Sequence, residues 1–412
     1  MTERLYYTDS FLSEFDAGVM GVREFDGRRA LVLDRSAFYP TSGGQVFDTG
    51  SLVFEDGTRL KVVEVIEDEN GEVLHVVESG EQQIPRFARD DKPVVVHGAI
   101  NVARRRDHMQ QHTGQHVLSA ALVELFAFQT VSFHMGDESC TIDLDTKNVT
   151  DAQVRQAEEL VNRVVMEDRP VTIRFATVDE ARTMGVRKIP PDVAGELRLI
   201  DIDGFDLNAC GGTHVSRTGQ IGPILLRKTE KVKQGVRVEF VCGERAVRTA
   251  RTDFAALTEA AAVFSTHIWE VAQQARKTLE EIKAAQRERK RLLEELAERE
   301  AEKLLRETPM QDGQRLVTRV VADRDLAFIK LVAQKLAASS PVVALLGCGG
   351  AQPALVFAQS SGGAHDMSAL MKEAMAAAGG RGGGTRDMAQ GGAPAGSDLE
   401  GAIRTAAERV RS

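Results

Sequence analysis

Two short runs, far apart in the chain, must be brought together by whatever fold this sequence adopts. The first is HTGQH, with His112 and His116; the second is CGGTH, with Cys210 and His214. Residues four apart on a helix share a face, so His112 and His116 can aim their imidazoles at a common point. Cys210 and His214 add a thiolate and a third imidazole, with Gly211 and Gly212 permitting a tight turn between them. Three imidazoles and a thiolate suit one zinc ion, whereas magnesium and calcium want oxygen ligands. The first run has no Glu after its leading histidine, so it lacks the built-in base of HExxH proteases, and a peptidase is not expected. Four side chains can close a tetrahedron, the mark of a structural site, while catalysis needs an open position. The spacing is compatible with both.

A chain of 412 residues is too long for one ordinary domain. We expect an α+β protein in four parts: a small β-barrel over 1–95, an α+β domain over 96–248, a helical spacer over 249–312 and an α/β domain over 313–412. In the first part, segments such as 29–33, 60–65 and 73–77 read as strands. In the second, 104–126 and 151–167 read as helices, with Gly114 an awkward helix residue; 94–96, 171–175, 197–202, 224–228 and 236–242 read as strands. Residues 251–307 are rich in charge, with Leu279, Ile282 and Leu292 set among Glu, Lys and Arg, and predict one long helix or a helical hairpin. A solvated spacer and a dimerising coiled coil are equally good readings of it, and a homodimer is expected either through this spacer or through the C-terminal domain. The last part predicts strands at 316–321 and 342–346 and helices at 326–338 and 367–378. The glycine-rich loop 379–392 and a closing helix from about 397 follow.

No apolar run approaches the length of a membrane span, and the N-terminus shows no secretory signal. The four cysteines, Cys140, Cys210, Cys242 and Cys348, are scattered, which favours a reducing cytoplasm. A formal net charge of −9 argues against indiscriminate nucleic-acid binding but allows a local basic patch. Arg104, Arg105 and Arg106 form such a patch just before the histidines. It reads either as a solvated helix start or as a guide for an RNA end. His108 and His134 could line a pocket or serve as structural residues. The Gly43-Gly44 pair of FYPTSGGQ is a hairpin turn or a cradle for a ligand. The run from Gly379 to Gly392 is a flexible surface loop, or a set of backbone amides that grips phosphate together with Arg381 and Arg386.

Taken in order, LDRSAFYPTSGGQVFDTG, HMQQHTGQHVLSAAL, GFDLNACGGTHVSRTGQIG and GGRGGGTRDMAQGG resemble the editing portion of alanyl-tRNA synthetase and the free-standing AlaX-type alanyl-tRNA editing proteins. The resemblance runs over nearly the whole chain and is closest to the long form, which keeps a C-terminal tRNA-binding domain. Threonyl-tRNA synthetase shares the paired metal motifs but not the tail. No aminoacylation domain or ATP-binding fold is read before the barrel. The resemblance implies a cytoplasmic zinc-dependent aminoacyl-tRNA deacylase acting on tRNA(Ala) mischarged with serine, and with glycine as a further candidate. It puts one zinc on His112, His116, Cys210 and His214, and Gly43, Gly44 and Gln45 beside the substrate, with Gln45 and Ser36 as the catalytic candidates. It puts Arg104, Arg105, Arg381, Gly382, Gly383, Gly384 and Arg386 against tRNA.

The physical logic fits. An alanine pocket discriminates against serine or glycine by only ~1–3 kcal/mol, so a second site that destroys the error product restores fidelity. Zinc there would orient the substrate or activate water. Two departures from the family stand out. Ser36 replaces a Thr whose hydroxyl is implicated in reading serine, and the tail has Gly384-Thr385-Arg386-Asp387 where the synthetases have Gly-Arg-Pro-Asp. Two other readings stand beside the deacylase: a non-catalytic tRNA-binding protein with a structural zinc, and a threonyl-type module acting on Ser-tRNA(Thr).

Overall fold

The computed structural model describes residues 2–78, 94–189, 195–233, 235–339, 341–350 and 352–412. The chain divides into two compact units, Met1–Glu259 and Ala260–Ser412.

In the first unit six antiparallel strands close a barrel, in the order Glu14–Phe25, Arg28–Leu33, Val73–Val77, Arg59–Glu67, Gly50–Phe54 and Val95–Ile100. Asp26 and Gly27, both with positive φ, make the two-residue turn that matches the twist of a hairpin. Phe15, Leu31, Phe38, Leu52, Val62 and Val96 fill the interior. The three strands expected from sequence are present, 73–77 with the expected bounds and the other two a little longer. The twelve-residue strand Glu14–Phe25 is hidden in the sequence, because Gly18 and Gly21 look like punctuation; the register shifts between Val19 and Gly21, a bulge that lets the strand bend. Val95–Ile100 closes the barrel, which therefore runs past the boundary expected at 95.

Helix α1 (Val102–Phe126) follows directly, capped by Asn101, whose side chain accepts from Arg104 N–H. Every residue from His108 to Leu122 is buried, so α1 runs through the interior rather than over it. Gly114 has its reason here: a Cβ would collide with Cys242 Sγ. Helix α2 (Asp151–Met166) opens on a Thr150–Gln153 capping box, and a short α3 spans Val178–Thr183. Two antiparallel sheets complete the region. One runs Ile224–Val232, Gly235–Cys242, Cys140–Leu144, Thr130–Met135; the other runs Val171–Thr177, Glu196–Ile202, Asp206–Ala209. Helix α4 (Gly243–Val263) follows the first of these sheets in sequence.

The second unit packs the last turns of α5 (Val271–Glu307) against its sheet. Ala297, Ala301 and Leu304 are buried with α6 (Leu326–Ala338) on one face. Helices α7 (Met367–Ala377) and α8 (Leu399–Arg411) cover the other face. The last turns of α5 are thus core, not solvated spacer. Arg315–Val321 and Val342–Cys348 pair in parallel across α6, the expected βαβ arrangement. Ala354–Gln359, Met388–Gly392 and Arg381–Gly384 extend the sheet antiparallel. The glycine run expected as a loop is therefore a hairpin of two strands. Gly382 and Gly391 face each other in register, and a Cβ on either would enter the space of Met371 and Met375 on α7. The absence of side chains lets the helix sit directly on the strands.

Candidate metal centre

His112, His116, Cys210 and His214 converge, with one ligand atom from each lying within 4.8 Å of the others. Helix α1 supplies the first two from adjacent turns. The strand Asp206–Ala209 runs straight into Cys210, whose N–H donates to Arg198 O at 3.1 Å. The CGGTH turn then folds back so that His214 Nε2 lies 3.3 Å from Cys210 Sγ, and His112 Nε2 lies 3.4 Å from the same sulfur. Around zinc, with Zn–N of about 2.1 Å and Zn–S of about 2.3 Å, tetrahedral N···S edges would be roughly 3.6 Å. Both edges are close to that, so Cys210, His112 and His214 are spaced for a zinc-sized ion, with the His116 ligand atom inside the same 4.8 Å cluster. Gly212 is required: a Cβ there would overlap the His112 ring and approach Gln45 Oε1.

Each imidazole is fixed from behind. Gln45 Oε1 accepts from His112 Nδ1 at 2.7 Å and from Thr213 N–H at 3.1 Å, and Gln45 Nε2 donates to Thr213 Oγ1 at 2.8 Å. The backbone donor settles which way the amide points, so Nδ1 carries the proton and Nε2 faces the sulfur. Thr113 Oγ1 lies 3.2 Å from His214 Nδ1 and accepts from Val215 N–H. Asp206 Oδ2 lies 3.4 Å from His116 Nδ1, misaligned for a hydrogen bond, so this contact is charge attraction; Arg187 grips the same carboxylate through two bonds. Partners of this kind orient metal-binding histidines and raise their basicity.

The electrostatics agree with an anionic sulfur. Burial pushes the Cys210 thiol up, but His112 and His214, with hydrogen bonds from His112 and His116, hold it well below its ordinary value. Burial drives His214 down to about 3. His116 moves the other way: burial opposes its charge, yet Asp206 and the Cys210 sulfur raise it to about 9. Arg198 secures the turn. Its Nη1 donates to Cys210 O and Gly212 O, its Nε to Tyr7 O, and its Nη2 is buried without a partner.

The glycine motif reaches this centre. Ser42 and Gln45 close a tight turn over Gly43 and Gly44, both with positive φ. Gly44 O accepts from Met135 N–H, and the neighbouring Phe133 ring stacks on His112 at 5.6 Å. The turn therefore delivers Gln45, whose amide is spent on His112 and Thr213. Ser36 is elsewhere: its hydroxyl, fully buried, lies 2.7 Å from His75 Nε2 and accepts from Phe38 N–H. The resemblance gives Ser36 a catalytic role; its hydroxyl lies within the barrel, engaged by His75 and Phe38.

Arg105 is a correction to the sequence reading. It is 5 % exposed, paired with Asp48 and bonded to Ser10 O and Ala37 O, so its guanidinium is consumed in tying the barrel to α1 and is not offered at the surface. Arg104 is half-buried, its Nε on Phe47 O and its charge over the Phe47 ring, while Arg106 is exposed. His108 is buried, and burial lowers it to about 4; His134 faces solvent. In the second unit Arg381, Gly384 and Arg386 are exposed and Gly382 and Gly383 half-buried. Sequence reading misses Thr113, Asp206, Arg187 and Arg198. Thr113 lies inside the histidine run and Asp206 shares strand parity with Cys210, so both carry a signal; Arg198 carries none.

The family described as threonyl and alanyl tRNA synthetase second additional domain matches residues 197–238, which include Cys210 and His214. The class II (A) tRNA synthetases match residues 6–88. The alanine–tRNA ligase of Pyrococcus abyssi is 33% identical over 402 residues, covering 95% of this chain and 42% of that protein. The alanyl-tRNA editing protein AlaX-L of Pyrococcus horikoshii is 35% identical over 249 residues, covering 60% of this chain and 59% of that one. The chain thus spans less than half the length of the P. abyssi ligase. None of its described helices is long and apolar enough to cross a membrane. By these likenesses the chain is a homologue of the AlaX-type alanyl-tRNA editing proteins and of the matching stretch of the alanine–tRNA ligases.

Proposed function

We propose that this protein is a cytoplasmic deacylase that hydrolyses mischarged tRNA(Ala) in trans, chiefly Ser-tRNA(Ala), with Gly-tRNA(Ala) as a second substrate. The observation that carries the reading is the arrangement of three imidazoles, each with its Nδ1 held by or against a protein group, around one low-pKa sulfur. Zinc bound there would supply Lewis-acid polarisation of the ester or of water. The chain's own part is to hold the rings, through Gln45, Thr113 and Asp206, and to shape the approach with the Gly43-Gly44 turn and Phe133. We assign deacylation to 96–248 with the loop from 1–95, and the tRNA body to 313–412, with 249–312 between them in sequence. Arg381 and Arg386, with the amides of Gly382, Gly383 and Gly384 on the edge strand, form the proposed tRNA contact, and Arg104 flanks the acceptor end. The exposed Leu279 and Ile282 on α5 are the surface for a homodimer.

The test is release of labelled amino acid by zinc-loaded protein from Ser-tRNA(Ala) and Ala-tRNA(Ala). Faster loss of serine is expected; equal rates sink the proposal. One observation favours the rival reading, a structural zinc: four protein donors suffice to close a tetrahedron. Cys210→Ala separates them. A folded variant that binds tRNA but no longer deacylates supports the enzyme, whereas unfolding on loss of the metal, with a wild type that binds tRNA and never deacylates, supports the rival. The threonyl-type reading is weaker because the P. abyssi and P. horikoshii relatives are alanyl proteins; parallel assays on tRNA(Thr) decide it.

A further inference from the structure

The deacylase reading leaves one question open: which residue distinguishes serine from alanine. Ser36 is not free to do it, since its hydroxyl is engaged by His75 and Phe38 inside the barrel. The strand Asp206–Ala209 offers another group. Side chains alternate along a strand, so Asp206, Asn208 and Cys210 project from one face. Asp206 reaches His116, and Cys210 belongs to the cluster. Asn208 stands between them, roughly 7 Å along the strand from each. The pairing holds this geometry through the end of the strand, with Asn208 opposite Ile200 and Cys210 N–H on Arg198 O.

Asn208 Oδ1 is shut off from solvent and has no hydrogen-bond partner, although its two neighbours on that face are fully engaged. A buried acceptor left unpaired is unfavourable, and a ligand that pairs with it is selected over one that does not. An amide can also present its NH2 by a half-turn, so it can bond a hydroxyl as acceptor or as donor. Resting on the deacylase reading, we infer that Asn208 is the specificity-determining residue for this site and that it bonds the side-chain hydroxyl of the seryl group. Serine pairs with the orphan atom. Alanine leaves it unpaired beside a methyl group and is disfavoured. Glycine leaves it unpaired as well, so glycine removal owes nothing to this contact.

The experiment measures kcat/KM of the full, zinc-loaded chain on Ser-, Gly- and Ala-tRNA(Ala) for wild type, Asn208→Ala and Asn208→Asp, with bound zinc and Tm recorded for each. Asn208→Ala is expected to lower the serine value by about tenfold to a hundredfold while the glycine value changes less than about threefold. Asn208→Asp keeps an acceptor of the same size and is expected to retain most of the preference for serine over alanine. Zinc content should be the same in all three. Serine and glycine falling together in a variant that keeps its zinc, or an unchanged serine rate, overturns the assignment. Should Asn208→Ala lose its zinc or its fold, Asn208→Asp decides alone, and loss of its serine preference overturns the assignment. A wild type that never releases serine defeats the deacylase reading itself, a different failure from a wild type that discriminates without Asn208.

Discussion

Glycine does different work in the two units. In the first, Gly43 and Gly44 adopt positive φ and turn the chain so that Gln45 meets His112, and Gly212 clears the space that the His112 ring occupies. In the second, Gly382 and Gly391 lie in ordinary extended strands and clear space for the methionines of α7. The same letter pattern, paired glycines among small polar residues, marks a site in one place and a packing surface in the other. What separates them is what a Cβ would strike: ligand-type side chains in the first unit, apolar core in the second. Substitutions to Ala measure this directly, because they add one carbon and nothing else.

The largest effect is expected at Gly212. Its Cβ would overlap the His112 ring and press on Gln45 Oε1, the acceptor that fixes that ring. Both groups are buried, so relief requires the ring or the CGGTH turn to move. Displacing such a partner typically costs about 10- to 100-fold in metal affinity or activity. Gly212→Ala should therefore weaken zinc binding by that factor, read by competition with a chromophoric chelator, and slow seryl release in parallel. Unchanged zinc affinity would mean that the close approach at Gly212 has no bearing on the metal site.

Gly391→Ala is the matching change in the second unit. The added carbon enters the space of Met375, with Met371 Sδ behind it, and both methionines are fully buried. Methionine is adaptable, which tempers the cost, but both side chains are already enclosed by the core. Overpacking of this kind costs about 1–3 kcal/mol. Denaturant unfolding should show that loss, with zinc affinity untouched. A change in zinc affinity instead would erase the distinction between the two units.

The legibility of the sequence divides along the same line. Helices α1, α2, α6 and α7 are readable to within two residues, because each has a clear start or an uninterrupted apolar pattern. The four metal-type ligands are readable because HTGQH and CGGTH are rare chemistry at short spacing. The groups behind them are not. Arg187 and Arg198 come from segments whose composition says nothing of a metal, and only strand pairing brings Arg198 to the CGGTH turn. Arg105 looks like part of a surface triplet, and nothing in the triplet reveals that Asp48 awaits its guanidinium inside. Strands Glu14–Phe25 and Met388–Gly392 are hidden by their glycines, since glycine lowers strand propensity whether or not the backbone turns there.

The smallest effects separate backbone strain from packing. Gly43 has φ of +57° and nothing within 4 Å of a Cβ, so Gly43→Ala pays only for the left-handed conformation, about 1 kcal/mol. Gly383 also has open space around its Cβ, but it sits in an extended strand without positive φ. There alanine restricts the unfolded chain without straining the folded one, so Gly383→Ala should be neutral or stabilising by up to about 1 kcal/mol. Paired urea melts of the two variants test this. Gly43→Ala destabilising and Gly383→Ala not is the expected result, because only the first glycine holds a turn. If Gly383→Ala proves as costly as Gly391→Ala, the whole run resists side chains, and the contact of α7 with Gly382 and Gly391 no longer explains why it is glycine.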